Sequence, residues 1–401
     1  MKRGLICALA LIALLTAFCC AESTDEGEAL KAKYEESVAF KTVETICRVG
    51  TDQISRWQTN KQVKPDSPAW NLITRFDAGF FITPKTSLFL DRRSENWVRT
   101  SETTFECDVY MNNRITFAHV PITTDYPCAY HMYFELTDKR KDTWLLTDFY
   151  SLPIQSEVDK AARYTAENEG ISVYTVEGKS FRGYMMVVDD PSRVFVGTID
   201  RFSNAVGGMR LDALTQKYHA LAAINGGCFQ DGGEISSGGV PIGCVYSMGK
   251  SLGYNNVHDP ASNVIMGFDV NDKLIVGTFK NDQLEQLKLR DALAFHPALV
   301  LNGEKTKITD SLRYSARTAI GQDGEGRVLM LVTQGRQPNC LGACFEDLQD
   351  IMLAFGAVNA GNLDGGHSTA MYLAGESVYS GYPLDVSRRM PATFLVKYPG
   401  E

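Results

Sequence analysis

Three short glycine-bearing segments hold the residue types that could do chemistry. They are Ala222-Ala223-Ile224-Asn225-Gly226-Gly227-Cys228-Phe229, Ser315-Ala316-Arg317-Thr318-Ala319-Ile320-Gly321 and Asn359-Ala360-Gly361-Asn362-Leu363-Asp364-Gly365-Gly366-His367-Ser368-Thr369. Each sets polar groups beside residues that have no side chain. Glycine lets backbone N–H groups approach a ligand and permits positive φ, and successive amides in such turns form anion-binding concavities. A single Asn-Gly-Gly is explained by a tight turn with a capping Asn. That explanation weakens when three such segments share one region, with Arg317 in one and Asp364 in another. None matches the phosphate-binding patterns GxxxxGK[ST] or GxGxxG, so a nucleotide-binding fold is not indicated.

Such segments need strands and helices to hold them. Ile171–Val176, Tyr184–Val188 and Val194–Ile199 read as strands, the last two joined through Asp189-Asp190-Pro191-Ser192 as a hairpin. Leu211–His219 reads as a helix leading into an apolar strand, Ala220–Ile224. Val264–Val270 and Lys273–Phe279 bracket Asn271-Asp272 as another hairpin. Ala319–Gly321 and Val328–Val332 do the same around Asp323-Gly324-Glu325-Gly326. The run Val328–Val332 does not alternate, which predicts a strand covered on both faces. Leu348, Ile351, Met352 and Phe355 form one stripe of a helix over Phe345–Phe355, with Gly356 as its stop.

Upstream the pattern differs. Leu30, Tyr34, Val38, Val43 and Ile46 stand at roughly helical spacing and predict an amphipathic helix over residues 26–48. Thr104–Met111, Ile115–Val120, Cys128–Leu136 and Thr143–Phe149 are β-rich, aromatic and separated by turn residues. A helix followed by a run of strands resembles the NTF2-like cone fold, by element order alone. Lys2 and Arg3, the apolar stretch Leu5–Phe18 and the small residues up to Ala21 have the grammar of a secretory signal peptide, with an uncleaved anchor as the alternative. The expected organisation is therefore α+β: a signal over 1–21, a smaller α+β domain over 22–155, a polar linker over 156–170, and a mixed β-sheet domain with packed helices over 171–401.

Composition narrows the function classes. Over 401 residues, 44% are hydrophobic and 22% charged, which excludes wholesale disorder, coiled coil and a polytopic membrane protein. Asp and Glu total 48 against 40 Lys and Arg, with no basic stripe, so nucleic acid is not the expected partner. Once the signal is removed no stable membrane span is expected, and the protein is placed outside the cytoplasm, secreted or in the cell envelope. An oxidising compartment permits disulfides. Of the 10 Cys, Cys7, Cys19 and Cys20 fall in the signal region, leaving an odd number. Cys340 with Cys344, Cys228 with Cys244, and Cys107 with Cys128 are the sensible pairs. No zinc spacing is present.

The three segments, taken together, resemble the phosphodiester glycosidase family. The pattern includes an Asn-Gly turn ending in an aromatic residue (Asn225–Phe229) and an Arg-Thr-Ala-Ile-Gly strand (Arg317–Gly321). A polar glycine turn follows at Gln334-Gly335-Arg336. Then come an Asn-Leu-Asp-Gly-Gly segment over Asn362–Ser368 and a late basic strand start at Arg388-Arg389-Met390-Pro391. The resemblance covers about residues 171–397. His367 stands where the family has Gly, and Cys228 interrupts its usual aromatic pair.

The resemblance implies hydrolysis of a sugar-1-phosphodiester with release of the sugar. It casts Asp364 as nucleophile or base, Arg317 as a bidentate phosphate ligand, and Glu234 or Asp231 as the second carboxylate. Asn225 and Asn362 would bond sugar hydroxyls or an acetamido group, and His367 and Ser368 would line the phosphate side. Gly226, Gly227, Thr318, Gly365 and Gly366 complete the expected substrate-binding set. His296 lies where it could reach the site. No cofactor is expected; an oxygen-rich set around Asp364 would suit calcium rather than zinc. The partner would be a sugar phosphodiester or an envelope glycan. Two other classes fit the same residues: an envelope glycan-binding protein without turnover, and a metal-dependent phosphodiesterase cutting phosphorus–oxygen bonds.

Overall fold

The structure is a computed structural model. It describes residues 38–49, 61–74, 84–117, 123–141, 143–154, 169–230, 237–255, 264–309, 313–337, 340–381 and 387–401. The expected signal, most of the polar linker, and the loop holding Asp231 and Glu234 lie outside the described residues. Two compact units are formed, one built mainly on residues 84–152 with the helix Ala39–Val49, the other on residues 153–401. The architecture is mostly β with a few helices, compatible with the expected α+β class.

In the first unit four strands, Pro84–Ser101, Thr104–Phe117, Thr123–Asp138 and Thr143–Ser151, pair in sequence order as an antiparallel meander. Alternation sets its two faces. Phe105, Cys107, Val109, Cys128, Tyr130, Met132 and Phe134 are buried on one. The next residues in each strand form the polar face, where His131 Nδ1 meets Asp108 Oδ1 at 2.6 Å. The helix Ala39–Val49 buries Ala39, Phe40, Val43, Ile46 and Cys47, a helical stripe. It begins later than the expected helix, whose earlier turns fall on undescribed residues.

The second unit contains a seven-stranded sheet and two five-stranded sheets. In the first the spatial order is Glu304–Lys305, Ala298–Leu301, Ala357–Leu363, Arg317–Asp323, Val328–Thr333, Phe181–Val188, Ile171–Gly178. A second sheet runs Glu376–Ser380, Ala370–Leu373, Ala222–Asn225, Ala392–Val396, Val194–Thr198. The third holds Gly243–Ser247, Val264–Asp269, Leu274–Thr278 and Leu289–Ala294, with Lys250–Asn255 at its edge. One apolar cluster takes side chains from all three, including Met186, Ile320, Leu363, Val196, Ile224, Phe394, Met266 and Phe268. The buried Asp291 carboxylate accepts from the N–H groups of Val196 and Met248. A second core layer is closed by the helix Phe345–Ala354, whose Leu348 and Met352 are fully buried. Cys344 N donates to Asp347 Oδ2 at its start, and Gly356 (φ +80°) ends it.

Two expectations are corrected here. The turn after Asp189 does not make a hairpin. Phe181–Val188 pairs with Val328–Thr333 and Ile171–Gly178, whereas Val194–Thr198 belongs to another sheet, so the chain changes sheets through the 3-10 turn Pro191–Arg193. The expected cysteine pairs are not bridged, and no disulfide is formed among the described residues. Cys107 stands opposite Met132 and Cys128 opposite Met111, so these two are out of register on neighbouring strands. Cys340 Sγ instead bonds Gln334 Oε1, and Cys344 serves the start of the helix.

Candidate functional site

The three glycine-bearing segments are brought together by hydrogen bonds, two of them made by the Asn225 side chain, and the second and third also pair as neighbouring strands. This residue ends the strand Ala222–Asn225 and is fully buried. Its Nδ2 donates to the Asp364 carbonyl at 2.7 Å. Its Oδ1 accepts from Thr318 Oγ1 at 2.6 Å and from Ala370 N at 3.0 Å. Asp364 N donates to Gly226 O at 3.1 Å, and Gly366 N to Ala316 O at 2.8 Å. One side chain thus ties the five-stranded sheet to the loop after Ala357–Leu363 and to the start of Arg317–Asp323. Asn225 and Thr318 spend their polar atoms on this frame rather than facing outward.

Asp364 stands at the centre. Its residue surface is partly accessible, yet its carboxyl is packed closely enough that burial dominates and raises its pKa above the usual carboxylate range. Opposing that rise are a hydrogen bond from Ser368, the charge of Arg388, the Gly365 N–H (3.0 Å to Oδ1) and the charge of Arg336. Ser368 is buried, and Arg388 Nη1 lies 3.5 Å from its Oγ. Arg388 also stacks over the Phe229 ring, 4.7 Å from its centroid. Gly366 has φ +60°, and a Cβ there would collide with the Arg336 guanidinium, so this arginine lies flat against the glycine turn. Gly226 and Gly227 press on the carbonyls of Ala392 and Ala294, and Gly365 on that of Ala316.

Burial, and then the charge of Asp364, push the Cys228 thiol up to about 11. It is therefore a neutral group at the same site at neutral pH. His367 is half-buried in the 3-10 turn Gly366–Ser368. Asn362 is fully buried; its Nδ2 donates to His296 O at 2.7 Å, and among the described residues its Oδ1 has no hydrogen-bond partner. His296 contributes this carbonyl, while its ring stacks on Phe295.

Arg317 lies beside the glycine loop, its Cδ 3.7 Å from where a Cβ on Gly365 would stand, and its guanidinium has protein partners. Its Nη2 donates to Arg313 O at 2.7 Å and its Nε to Ala343 O at 3.3 Å, and its guanidinium stacks over Phe345, 4.2 Å from the ring centroid. The two guanidiniums that act on Asp364 are those of Arg336 and Arg388. From sequence alone these appear only as parts of a family pattern, without a role. The signal that could have marked them is their position, Arg336 in a polar glycine turn and Arg388 ahead of a buried strand.

Residues 218–397 match the profile of a family described as phosphodiester glycosidase. The resemblance carried by the motifs therefore stands, and the matched stretch contains Asn225, Arg317, Arg336, Asp364 and Arg388. The chain is 23% identical over 219 residues to the SPbeta prophage-derived uncharacterized protein YomE of Bacillus subtilis. That alignment takes in 53% of this chain and 32% of the relative, so the chain spans about a third of that protein's length. Among solved structures it is similar to the catalytic domain of zebrafish N-acetylglucosamine-1-phosphodiester alpha-N-acetylglucosaminidase, auto-inhibited by its pro-peptide. There the identity is 21% and the TM-score 0.45, covering 57% of this chain and 81% of that one. A hypothetical protein from Synechocystis is 14% identical with a TM-score of 0.41, covering 77% of this chain and 80% of that one.

Proposed function

We propose that the second unit is a phosphodiester glycosidase, a hydrolase that cleaves the glycosidic bond of a sugar-1-phosphodiester and releases the sugar. The observation behind this reading is a crowded carboxylate, Asp364, flanked by two guanidiniums, Arg388 and Arg336. Arginine matches phosphate oxygens with paired donors. In the proposed step, the bond between the anomeric carbon and the phosphate oxygen breaks and its electron pair leaves with the phosphate. Water supplies hydroxide to the sugar carbon, and its proton passes to Asp364. Because a phosphate is a stable anion with a second pKa near ~6, the leaving group needs charge stabilisation more than a general acid. Ser368 and the Gly365 N–H orient the carboxylate, and Asn225 and Thr318 fix the loop that carries it.

The cationic neighbours of Asp364 argue against a calcium ion at that carboxylate: two guanidiniums already oppose its charge and would repel a divalent cation. A sugar phosphodiester, free or within an envelope glycan, is the proposed substrate. Export rests on the N-terminal segment and an NTF2-like role for the first unit on its helix-and-meander order. Among the described residues no helix is long and apolar enough to cross a membrane.

Asp364→Asn tests the reading. It keeps an acceptor and nearly the same shape, so the protein should fold, while turnover of a nitrophenyl sugar phosphodiester should fall at least ~100-fold. Running the wild-type reaction in heavy-oxygen water should put the label on the sugar. Label on the phosphate would make the enzyme a phosphodiesterase, and glycan binding without turnover on any sugar phosphate would make it a binding protein.

A further inference from the structure

Cys47 and Cys128 meet in the core of the first unit, their sulfurs 3.7 Å apart although 81 residues separate them. Cys47 lies on the buried stripe of the helix Ala39–Val49, and Cys128 on the apolar face of the strand Thr123–Asp138. Both are essentially closed to solvent, at 0% and 2% exposure. The contact is therefore where the helix seats on the sheet. A disulfide has sulfurs about 2.05 Å apart, so closure needs a shift of about 1.7 Å, within the reach of a side-chain rotation at the end of a helix. The third cysteine of this unit, Cys107, is fully buried on the neighbouring strand opposite Met132, out of register with Cys128.

We propose that Cys47 and Cys128 are the disulfide of the first unit, clamping its helix to its sheet, while Cys107 remains a thiol. The two thiols give up two protons and two electrons to a disulfide-bearing oxidant by thiol–disulfide exchange; one S–S bond forms in the protein and one in the oxidant is reduced to two thiols. Closing a ring across 81 residues restricts the unfolded chain far more than a local bridge between Cys340 and Cys344 would. Burial of both sulfurs then shields the bond from reductants in the folded protein.

Trypsin separates the three cysteines of this unit into peptides 42–48, 100–114 and 115–139. The full chain is reduced and denatured, refolded in a glutathione redox buffer, alkylated in denaturant without reductant, and mapped by mass spectrometry. The expected product joins peptide 42–48 to peptide 115–139, with peptide 100–114 recovered alkylated. Recovery of 42–48 and 115–139 both alkylated overturns the proposal, as does 115–139 joined to 100–114. The thermal midpoint of the wild type should fall by several degrees on adding reductant, and that of Cys47→Ser should not move. An equal fall in both would also overturn it. Should Cys47→Ser fail to fold, Cys107→Ser decides the matter, since it must retain the 42–48 to 115–139 link.

Discussion

Replacing Asn225 separates a framework role from a substrate-binding role. Its side chain serves three internal partners: the Asp364 carbonyl, the Thr318 hydroxyl and the Ala370 N–H. Asn225→Ala strands all three in a fully buried place. At about 1 kcal/mol for each lost bond, the lower end of what an unsatisfied buried group costs, the loss is about 3 kcal/mol. For a unit of this size that lowers the melting temperature by roughly 6–12 °C. Asn225→Asp keeps both acceptor contacts but, when ionised, turns a carboxylate toward the Asp364 carbonyl. Burial raises the pKa of such a carboxyl in the folded state. Its stability is therefore fully present below the ordinary value of about 3.9 and is lost as pH rises through the raised folded pKa. Melting curves followed by circular dichroism between acid and neutral pH measure both effects, with turnover assayed on the folded fraction. Unchanged melting of Asn225→Ala combined with weakened substrate binding would refute the framework role and return Asn225 to the sugar.

Three further substitutions probe the charges around Asp364. Gly366→Ala forces a side chain into left-handed backbone and against Arg336; it should cost about 1–2 kcal/mol and raise KM for a phosphodiester at least ~10-fold, and an unchanged KM would remove Arg336 from phosphate binding. Arg317→Lys should destabilise the protein through its contacts with Arg313, Ala343 and Phe345 while turnover per folded molecule is retained; lost turnover at unchanged stability would restore its phosphate role. Arg388 holds the Asp364 pKa down against burial, so Arg388→Met should move the acidic limb of the kcat/KM profile to higher pH, because the active carboxylate is lost as pH falls through a now higher pKa; a stationary limb would mean that Asp364 is not the group titrating there.

The strands around the site were legible because their pattern is not ambiguous. Val328–Thr333 has no polar alternation and is indeed buried along its length between two neighbours. The hairpin around Asn271-Asp272 follows from its turn residues, and the helix Phe345–Ala354 from its stripe and its Gly356 stop. The Asp190–Ser192 turn misleads for a physical reason. Turn chemistry fixes the local reversal, but both flanking strands are buried along nearly their whole length, and nothing local says which sheet each joins. The strand Pro84–Ser101 went unread because its charged run Asp91-Arg92-Arg93 has no clean period. It is an edge strand with repeated register shifts, which such a run tolerates. At the site, the loop positions were visible as glycine-rich text, but not the partners of each side chain. Asn225 looks like a ligand in the sequence, and the hydrogen bonds of its side chain to Asp364, Thr318 and Ala370 could not be read there. Arg388 looks like a strand start, and its guanidinium lies 3.5 Å from the Ser368 hydroxyl of the glycine loop.

The state of Asp364 follows from two opposing influences, and their balance suits one reaction better than others. Burial shifts the carboxyl toward its neutral form, the form needed by an acid that protonates an alcohol leaving group. The hydrogen bonds from Ser368 and Gly365 and the charges of Arg388 and Arg336 pull the other way and favour the anion. Cys228, the other acidic group there, is driven further from ionisation by burial and then by that anion. Asp364 is thus the site's oxygen acid–base group, its pKa raised on balance by burial, beside guanidiniums that an incoming phosphate would share. Binding that phosphate would divide the arginines' charge between two anions and weaken their hold on Asp364, making it more basic when the substrate arrives. A sugar with an alcohol leaving group brings no such charge and would leave the arginines paired with Asp364 alone. On the proposed reading, the same arrangement would favour a phosphate on the anomeric oxygen and would prepare the carboxylate to take a proton from water.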